Sequence, residues 1–282
     1  MAGTLYLCAT PIGNLEDITL RVLRILKEVD LIAAEDTRNT IKLLNHFEIK
    51  TPMTSYHEYN KYDKAQLLVS KLVNNTNIAL VTDAGTPAIS DPGEELVRQA
   101  YDAGVNITSL PGACACITAL TLSGMSTRRF AFEAFLPFDK KERKIILESL
   151  KTETRTIVIY EAPHHLKQTL DELYIFLGDR QITICRELTK LHETIEFFTL
   201  SAAIDYYNAN SPKGEYVLII KGTDIKELTL RKQENWQQMD ISEHMKIYLS
   251  KGISKKDAMK KVAADRGISK REVYQFLIEK DV

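Results

Sequence analysis

Residues 79–93 constrain the fold of this chain more than any other part of its sequence. They follow Ile78 and begin as a short apolar run, which is typical of a buried strand. The eleven residues from position 83 to position 93 are then small, acidic or turn-forming. Gly85 permits close approach of the backbone to a ligand, and Pro92 suits the first turn of a following helix. Because ligands bind beyond the carboxyl ends of strands in open α/β sheets, this loop favours ligand binding over a simple connection.

Strand-like and helix-like runs alternate through the first half of the chain. The pattern predicts strands at 4–9, 30–34, 77–81 and 106–110, and helices at 19–28, 39–47, 64–72 and 94–103. Such alternation is typical of βαβ units and a mostly parallel sheet. In the second half, strand pairs without an intervening helix indicate a mixed sheet. We therefore expect an α/β protein with one domain over residues 1–125 and another over 126–225.

The last forty or so residues are predicted to be helical. Residues 223–240 are polar and are interpreted as a linker, and helices follow at 242–249, 254–265 and 269–279. Ser254 and Ser269 suit N-cap positions, while Gly252 and Gly267 stand where helices should end. We expect a small module over residues 240–282 that is similar to a helix-turn-helix. It carries more Lys and Arg than Asp and Glu, which is weak support for a nucleic-acid partner.

Composition excludes several classes of protein. No apolar run approaches the ~20 residues of a membrane helix, and the N-terminus lacks the pattern of a secretion signal. The four cysteines form no Cys-x-x-Cys or zinc spacing, so we expect reduced thiols, a cytoplasmic location and no metal site. The fingerprints Gly-x-Gly-x-x-Gly, Walker A, His-Glu-x-x-His and Gly-x-Ser-x-Gly are absent from the sequence.

Four loops follow predicted strands and should meet at one edge of a parallel sheet. They span residues 10–17, 35–38, 83–93 and 110–113. Glycines in them allow close backbone approach, and Glu35, Asp36 and Asp83 supply hydrogen-bond acceptors. Each loop alone could be an ordinary turn, but together they favour a cleft for a ligand with polar and apolar parts. Without a phosphate-binding motif, that ligand is expected to be a cofactor other than a nucleotide.

Two further segments follow strands in the second half of the chain. Glu161 begins one of them, and Arg186 and Glu187 begin the other. These residues could form an internal ion pair at the domain junction, or they could contact a ligand. The sequence leaves both alternatives open.

The loops, taken in order, resemble the tetrapyrrole-methylase superfamily over about residues 4–221. The resemblance is carried by Ala-Thr-Pro-Ile-Gly-Asn-Leu-Glu-Asp at 9–17, Ala-Glu-Asp-Thr-Arg at 34–38, Asp-Ala-Gly-Thr-Pro-Ala-Ile-Ser-Asp-Pro-Gly at 83–93, Leu-Pro-Gly at 110–112 and Tyr-Glu-Ala-Pro-His at 160–164. It implies two α/β domains with S-adenosyl-L-methionine folded into the cleft between them. More narrowly, the chain resembles a branch that methylates the ribose 2′-hydroxyl of a cytidine in 16S rRNA of the small ribosomal subunit. The resemblance also implies a homodimer, with no membrane partner.

The resemblance also implies which residues bind the cofactor. By position these are Pro11, Ala84, Gly85, Thr86, Ile89, Cys114, Ala115, Glu161, Cys185 and Tyr216. Porphyrin-modifying relatives have Gly-Asp-Pro where this chain has Gly85-Thr86-Pro87, which favours the RNA branch.

The reaction further needs a group that removes the hydroxyl proton. We hypothesise that Asp36 does so while Arg38 positions RNA; Glu35, Asp83 and His57 are the other candidate bases. Arg128 and Arg129, near the domain junction, are further candidates for contact with RNA phosphates.

Two alternative functions stay open. One is methylation of a tetrapyrrole or another small molecule on the same fold. The other is a DNA-binding regulator whose α/β body senses a ligand and whose helices at 242–279 read a groove.

Overall fold

The chain divides into two compact units in the computed structural model. The structure describes residues 2–280, without the side chains of residues 231, 232, 235, 279 and 280. The first unit holds the described residues up to Leu150 together with Arg155–Lys221, and the second holds Lys151–Thr154 and the residues from Gly222 onward. Both α/β halves predicted from the sequence therefore lie in one compact unit. The predicted domain limits at 125 and 225 stay predictions.

The first half of the first unit is a parallel five-stranded sheet with the strand order β3-β2-β4-β1-β5, which confirms the predicted parallel sheet. Its strands are β1 (Thr4–Cys8), β2 (Leu31–Ala34), β3 (Met53–Ser55), β4 (Ile78–Val81) and β5 (Asn106–Leu110). Its helices are α1 (Leu20–Glu28), α2 (Thr37–His46), α3 (Lys61–Val73), α4 (Gly93–Asp102) and α5 (Ala115–Leu122).

Both faces of this sheet are covered, as the alternation along β4 illustrates. Ile78 and Leu80 lie in the core shared with α3 and α4, whereas Ala79 and Val81 lie in the core shared with α1 and α2. All four residues are buried because successive side chains of a strand point to opposite faces. A continuous apolar run is thus the sequence pattern of this strand.

The second half of the first unit is a mixed five-stranded sheet, also as predicted, with the order β6-β7-β10-β8-β9. Strands β6 and β7 are parallel, and the other neighbouring pairs are antiparallel. The strands are β6 (Phe130–Phe135), β7 (Thr156–Glu161), β8 (Gln181–Arg186), β9 (Thr194–Thr199) and β10 (Tyr216–Ile220). The helices are α6 (Lys140–Leu150), α7 (Leu166–Leu177) and α8 (Leu200–Ala209). α6, α7 and α8 contribute to the core on one face, and α5 contributes to the core on the other.

The described part of the second unit contains four helices rather than the predicted three. α9 (Ile225–Gln237) occupies the segment interpreted as a linker, so that interpretation was wrong. α10 (Ile241–Leu249), α11 (Lys255–Arg266) and α12 (Lys270–Lys280) follow near their predicted positions. Met245, Val262 and Val273 join them in one core. Residues 281 and 282 of the predicted module lie outside the described part of the chain.

The predicted helix caps of this unit are confirmed. Ser254 accepts a hydrogen bond from the Asp257 N–H at the start of α11, and Gly267 ends that helix with a φ of +65°. Ser269 and Glu272 form a reciprocal capping box at the start of α12. No helix in the described part of the chain is long and apolar enough to cross a membrane.

Candidate active site

The loops after β1, β2, β4 and β5 lie at one edge of the parallel sheet, as predicted. Thr10 and Gly85 join the first and third loops by a pair of backbone hydrogen bonds of 2.9 and 3.0 Å. Gly85 has a φ of +85°, a conformation that costs glycine little. Thr86 adds a hydroxyl hydrogen bond of 3.0 Å to the Ala113 carbonyl in the fourth loop. The loop at 83–93 is therefore tied to both of its neighbours.

Asp91 holds the far end of this loop in shape. Its carboxylate accepts hydrogen bonds from the backbone N–H groups of Ala88, Ile89 and Gly93, at 3.0, 3.3 and 2.7 Å. Ala88 and Ser90 have positive φ values of 65° and 66°, a backbone conformation that non-glycine residues rarely adopt. Burial raises the pKa of Asp91, and the hydrogen bonds from these N–H groups oppose that rise. The shape of the loop therefore depends on a partly buried carboxylate.

Residues from the second half of the first unit contact the loop that follows β1. The Asn14 N–H donates to the Thr189 hydroxyl at 3.1 Å. A Cβ on Gly13 would lie 2.4 Å from Lys190 and 2.9 Å from the Leu188 carbonyl, so only glycine fits this approach. The two halves of the first unit thus meet around the strand ends.

A cavity of about 420 Å³ lies between these halves, and we call it the cofactor cavity. Its walls combine apolar side chains with carboxylates, hydroxyls and loop backbone. The lining residues are Ile12, Glu35, Thr82, Asp83, Ala84, Gly85, Thr86, Ile89, Ser90, Asp91, Cys114, Ala115, Phe135, Tyr160, Glu161, Ala162, Pro163, Leu188, Glu215, Tyr216 and Val217.

The charged residues that line the cofactor cavity are all acidic. Five carboxylates line it, those of Glu35, Asp83, Asp91, Glu161 and Glu215, and none of its described lining residues is Lys, Arg or His. An acidic lining favours a ligand with positive charge and disfavours one with phosphates. S-adenosylmethionine carries a sulfonium, an amino group, ribose hydroxyls and an adenine ring, so the mixture of carboxylates and apolar walls fits it.

Eight of the ten residues predicted to bind the cofactor line this cavity: Ala84, Gly85, Thr86, Ile89, Cys114, Ala115, Glu161 and Tyr216. Pro11 and Cys185 do not line it. Pro11 lies in a neighbouring cavity. Cys185 is fully buried, packs in the core that α5 shares, and has a pKa raised to about 12 by burial. Adjacent residues of a strand point to opposite faces of the sheet. A residue assigned by its position in the sequence, such as Cys185, therefore faces the core instead of the cavity if the assignment is shifted by one residue.

Cys114 stands at the N-cap of α5, directly on the cofactor cavity. Its Sγ lies 3.4 Å from that of Cys116, and this contact is the main reason that the pKa of Cys114 falls to about 6. The Cys116 N–H donates to the Tyr160 hydroxyl at 3.0 Å. Tyr160 also lines the cavity, although it is not among the residues predicted to bind the cofactor. Tyr160 lies in segment 160–164, one of the segments that carry the family resemblance, and this position was the sequence signal for it.

Glu161 and Glu187 do not form the ion pair that the sequence allowed with Arg186. Glu161 accepts hydrogen bonds from the Thr169 hydroxyl and from the Ala162 N–H, the latter at 2.8 Å. Glu187 pairs instead with Lys190 at 2.9 Å. Of the two alternatives, the position of Glu161 on the cavity wall agrees with ligand contact.

The Asp36 carboxylate does not line the cofactor cavity. Arg38 donates from its backbone N–H at 2.8 Å and from its guanidinium at 2.6 Å, and the side-chain hydrogen bond from Arg38 is the main cause that lowers the pKa of Asp36 to about 2. The Arg38 side chain is 88% exposed. Asp36 is therefore a helix cap and an ion-pair partner, and this arrangement argues against Asp36 as a base.

Asp83, unlike Asp36, lines the cofactor cavity. One carboxylate oxygen accepts from the Asp36 N–H at 3.2 Å, and the other accepts from the Asn39 amide at 3.4 Å. Burial, followed by the nearby charge of Glu35, raises the pKa of Asp83. Glu35 itself accepts from the Thr82 hydroxyl at 2.6 Å.

Asp83 and Thr82 also line a second cavity, of about 360 Å³, on the α2 side of the sheet edge. We call it the α2 cavity; it is also lined by Thr10, Pro11, Gly13, Leu15, Asn39, Thr40, Lys42, Leu43 and His46. Asp83 thus stands on a wall common to two cavities. The other candidates, His57, Arg128 and Arg129, line neither of them.

Comparison with known proteins identifies the class first. Residues 4–204 match the family model described as Tetrapyrrole (Corrin/Porphyrin) Methylases, and the chain belongs to this family. Its fold is similar to solved structures of a diphthine synthase and of cobalt precorrin-4 methyltransferase, with TM-scores of 0.63 and 0.58. These alignments cover 78% and 77% of this chain and 90% and 94% of the solved chains, at 13% and 17% sequence identity, and therefore show the fold alone.

Full-length relatives narrow the class to one branch. The ribosomal RNA small subunit methyltransferase I of Halalkalibacterium halodurans is 48% identical, covering 97% of this chain and 94% of that protein. The proteins of the same name from Bacillus subtilis and Synechocystis are 47% and 46% identical, over 96% and 98% of this chain and 93% and 98% of those proteins. The predicted family, the methyltransferase class and S-adenosylmethionine as its cofactor are confirmed.

Proposed function

We propose that this chain transfers the methyl group of S-adenosylmethionine to the ribose 2′-hydroxyl of a cytidine in the 16S rRNA of the small ribosomal subunit. The observation that carries the proposal is the pairing of an acidic cavity with a second cavity beside a basic helix face, with Asp83 on the wall between them. The name of the relatives, ribosomal RNA small subunit methyltransferase I, supports the same substrate.

The cofactor cavity supplies binding and orientation. We infer that the backbone of Ala84 and the Thr86 hydroxyl oxygen, as an acceptor, hold the cofactor from the first half, where Gly85 allows close approach and Ile89 forms an apolar wall. Their loop is fixed by Thr10 and by Asp91, so its shape exists before any ligand binds. A preorganised loop costs less ordering entropy on binding, which supports this role.

The other side of the cofactor cavity comes from α5 and the second sheet. Cys114 and Ala115 lie at the start of α5, and Glu161 and Tyr216 lie on neighbouring strands in direct register. Both strand residues are buried, at 5% and 2% exposure. We infer that they close the cavity against water, which an electrophilic methyl donor requires.

The α2 cavity suits the RNA. Arg38, Lys42 and His46 lie four residues apart along α2 and so share one face of that helix. All three are exposed, and Lys42 and His46 line the cavity. A guanidinium, an ammonium and an imidazole on one helix face beside a cavity can donate hydrogen bonds to a phosphate backbone, and we infer that they place the target ribose against Asp83.

Asp83 is the base in this proposal. The bound cofactor supplies an electrophilic methyl group on a sulfonium. Asp83 takes the proton of the 2′-hydroxyl, and its raised pKa brings the carboxylate closer to the range in which a base works well. Asp36 positions Asp83 through its backbone N–H, while its own carboxylate stays bound to Arg38.

The proposal is tested by transfer of labelled methyl from S-adenosylmethionine to small ribosomal subunits from cells that lack this protein. Nuclease mapping should place the label on a 2′-O-methylcytidine of 16S rRNA. A porphyrin precursor serves as the parallel acceptor for the tetrapyrrole alternative. Label on the precursor alone, or no label on RNA despite calorimetric binding of the cofactor, would contradict the proposal.

We further infer a homodimer that acts in the cytoplasm, where ribosomal subunits are assembled in bacteria. The homodimer is carried over from the resemblance alone. Sedimentation at several protein concentrations tests it, and a constant monomer mass across that range would overturn it.

A further inference from the structure

A third cavity, of about 350 Å³, lies between β8, β9 and α8 in the second half of the first unit. Its volume falls within the range of ligand sites. Tyr216 lines both this cavity and the cofactor cavity, so the two cavities are neighbours. We call it the tyrosine cavity because three of its lining residues are tyrosines: Tyr206, Tyr207 and Tyr216.

The tyrosine cavity differs from the cofactor cavity in charge. Arg186 and Lys213 line it, with Glu196 as the single carboxylate among its described lining residues. Tyr207 donates to Glu196 at 3.2 Å, and the nearby Glu196 carboxylate is the main cause that raises the pKa of Tyr206. Glu196 therefore has Tyr207 as its hydrogen-bond partner, and neither Arg186 nor Lys213 forms an ion pair with a described residue, so both cations are available to a ligand.

Arg186 has an unfilled bonding position. It stands in direct register with Tyr216 on one neighbouring strand and Thr194 on the other, and both line the cavity. One terminal N–H donates to the His192 carbonyl at 3.2 Å, but the Nε–H is shielded from solvent and has no hydrogen-bond partner among the described residues. A shielded donor without a partner is costly, so a shift of the Arg186 side chain that brings its guanidinium to an anionic oxygen of a ligand would be favourable.

The aromatic wall of the cavity suits a flat ring. Tyr206 is 38% exposed and packs against Phe198 with ring centroids 5.3 Å apart, so one side is supported while part of the ring stays open. Tyr207 and Tyr216 meet edge to face at 5.9 Å. Bases of single-stranded RNA stack on aromatic side chains in this way, while arginine and lysine bind the adjoining phosphate.

We propose that the tyrosine cavity binds a nucleotide that flanks the methylated cytidine, with its phosphate at Arg186 and Lys213 and its base against Tyr206. This inference rests on the proposed function, because the flanking nucleotide belongs to the same RNA strand as the target. Two anchors on one strand, at the α2 face and at the tyrosine cavity, fix the position of the ribose between them.

The test uses the full chain with the variants Arg186→Gln and Lys213→Gln. Lys144→Gln is the matched control, since it removes one exposed charge from α6 outside the three described cavities. For each protein we would measure the cofactor dissociation constant, the kcat and KM for methylation of small ribosomal subunits, and subunit binding as a function of salt.

We expect both cavity variants to raise KM about tenfold with kcat nearly unchanged, the loss of one charge-assisted hydrogen bond. The slope of log K against log salt should fall by about one for each, as for one lost phosphate contact. Cofactor affinity should match that of the parent chain, which shows that the fold is intact. Lys144→Gln should change none of these values.

Failure of this inference is distinguishable from failure of the proposed function. If the parent chain methylates the subunits but both cavity variants keep its KM and salt slope, the tyrosine cavity does not bind the RNA. If the parent chain methylates no RNA, the proposed function falls and the inference falls with it. Lys213 is exposed at the cavity rim, so its variant gives the answer even if Arg186→Gln misfolds.

Discussion

At the scale of single residues, hydrogen bonding decides which carboxylate can act. Asp36 and Asp83 were both candidates from the sequence, since each follows a strand of the same sheet. Only the structure shows that the neighbouring Arg38 forms an ion pair with the Asp36 carboxylate, and that Asp83 lines two cavities. Sequence order cannot reveal this, because the environment of a side chain depends on residues brought together by the fold.

Replacing Asp83 by Asn should reduce methylation at least ~10²-fold while cofactor binding is retained, because the amide cannot accept the proton. Asp36→Asn keeps the backbone N–H that holds Asp83 and should cost much less. Single-turnover rates and calorimetry of the two variants, measured side by side, make the comparison. Equal losses in both, or a larger loss in Asp36→Asn, would remove Asp83 from the proposed role.

At the scale of elements, hydrophobic periodicity and caps predicted most of the helices and strands. Two were missed for identifiable reasons. β3 has only three half-buried residues, too few for a periodic pattern. α9 contains a long polar stretch that suggested a linker, and its helix packs against α11 within the second unit. Tertiary packing stabilises such a helix when its own pattern is weak.

The two ends of α11 offer a prediction at this scale. Gly267, after the helix, has a φ of +65°, and Gly252, before it, has a φ of +75°. A Cβ added at Gly252 would meet no other atom within 4 Å, so only the backbone conformation opposes a side chain there. Replacing Gly252 by Ala should lower the free energy of unfolding by about 1 kcal/mol, the cost of a left-handed backbone for a Cβ-bearing residue. Gly267→Ala should cost more, because its Cβ would also lie 2.7 Å from the Gln233 side chain. Gly252→Asn should cost less than Gly252→Ala, because Asn tolerates this conformation.

Urea denaturation followed by fluorescence of Trp236, the single tryptophan of the chain, reports on the unit that contains both glycines. A Gly252→Ala variant as stable as the parent, or a Gly252→Asn variant less stable than the Ala variant, would show that backbone conformation is not what selects glycine at position 252.

A buried network in the second unit links four side chains across α10 and α11. Arg266 donates to His244 Nδ1 at 3.2 Å, and His244 Nε2 lies 3.2 Å from Asp265, to which Tyr248 also hydrogen-bonds. Trp236 stacks on the His244 ring with centroids 3.9 Å apart. Burial, and then the charge of Arg266, lower the pKa of His244 from its ordinary value of 6.5. The lowered pKa and the hydrogen bond that Nδ1 accepts from Arg266 both favour the neutral form of this histidine in the folded unit.

This depressed pKa fixes the sign of a pH effect on stability. Above pH 6.5 the histidine is neutral in both states, and its contribution to folding is fully present. As the pH falls below that value the unfolded chain binds a proton first, so the free energy of unfolding decreases. Trp236 fluorescence during urea denaturation between about pH 5 and pH 8 should detect the decrease.

His244→Gln should flatten this dependence, whereas the exposed His46→Gln should leave it unchanged. A parent chain whose second unit is equally stable across the range would contradict the assignment of a neutral His244.

At the scale of the whole molecule, every residue that lines the cofactor cavity belongs to the first compact unit. A chain that ends at Lys221 should therefore bind S-adenosylmethionine with nearly the affinity of the full chain. Calorimetry gives the affinity, and circular dichroism shows whether the shortened chain is folded. A folded but non-binding product would mean that the second unit is needed to form the cofactor cavity.

The sequence by itself determined the alternation of strands and helices, the loop at 83–93, the caps of the last helices and the family of the chain. These properties are local, because periodicity, turn residues and motif order are written in neighbouring positions. The tertiary structure decided which strand residues face the cofactor cavity and which carboxylate has no ion-pair partner. It also decided that Arg186 lies in a cavity with three tyrosines. Those properties depend on contacts between distant parts of the chain, where burial, charge and hydrogen bonding act together.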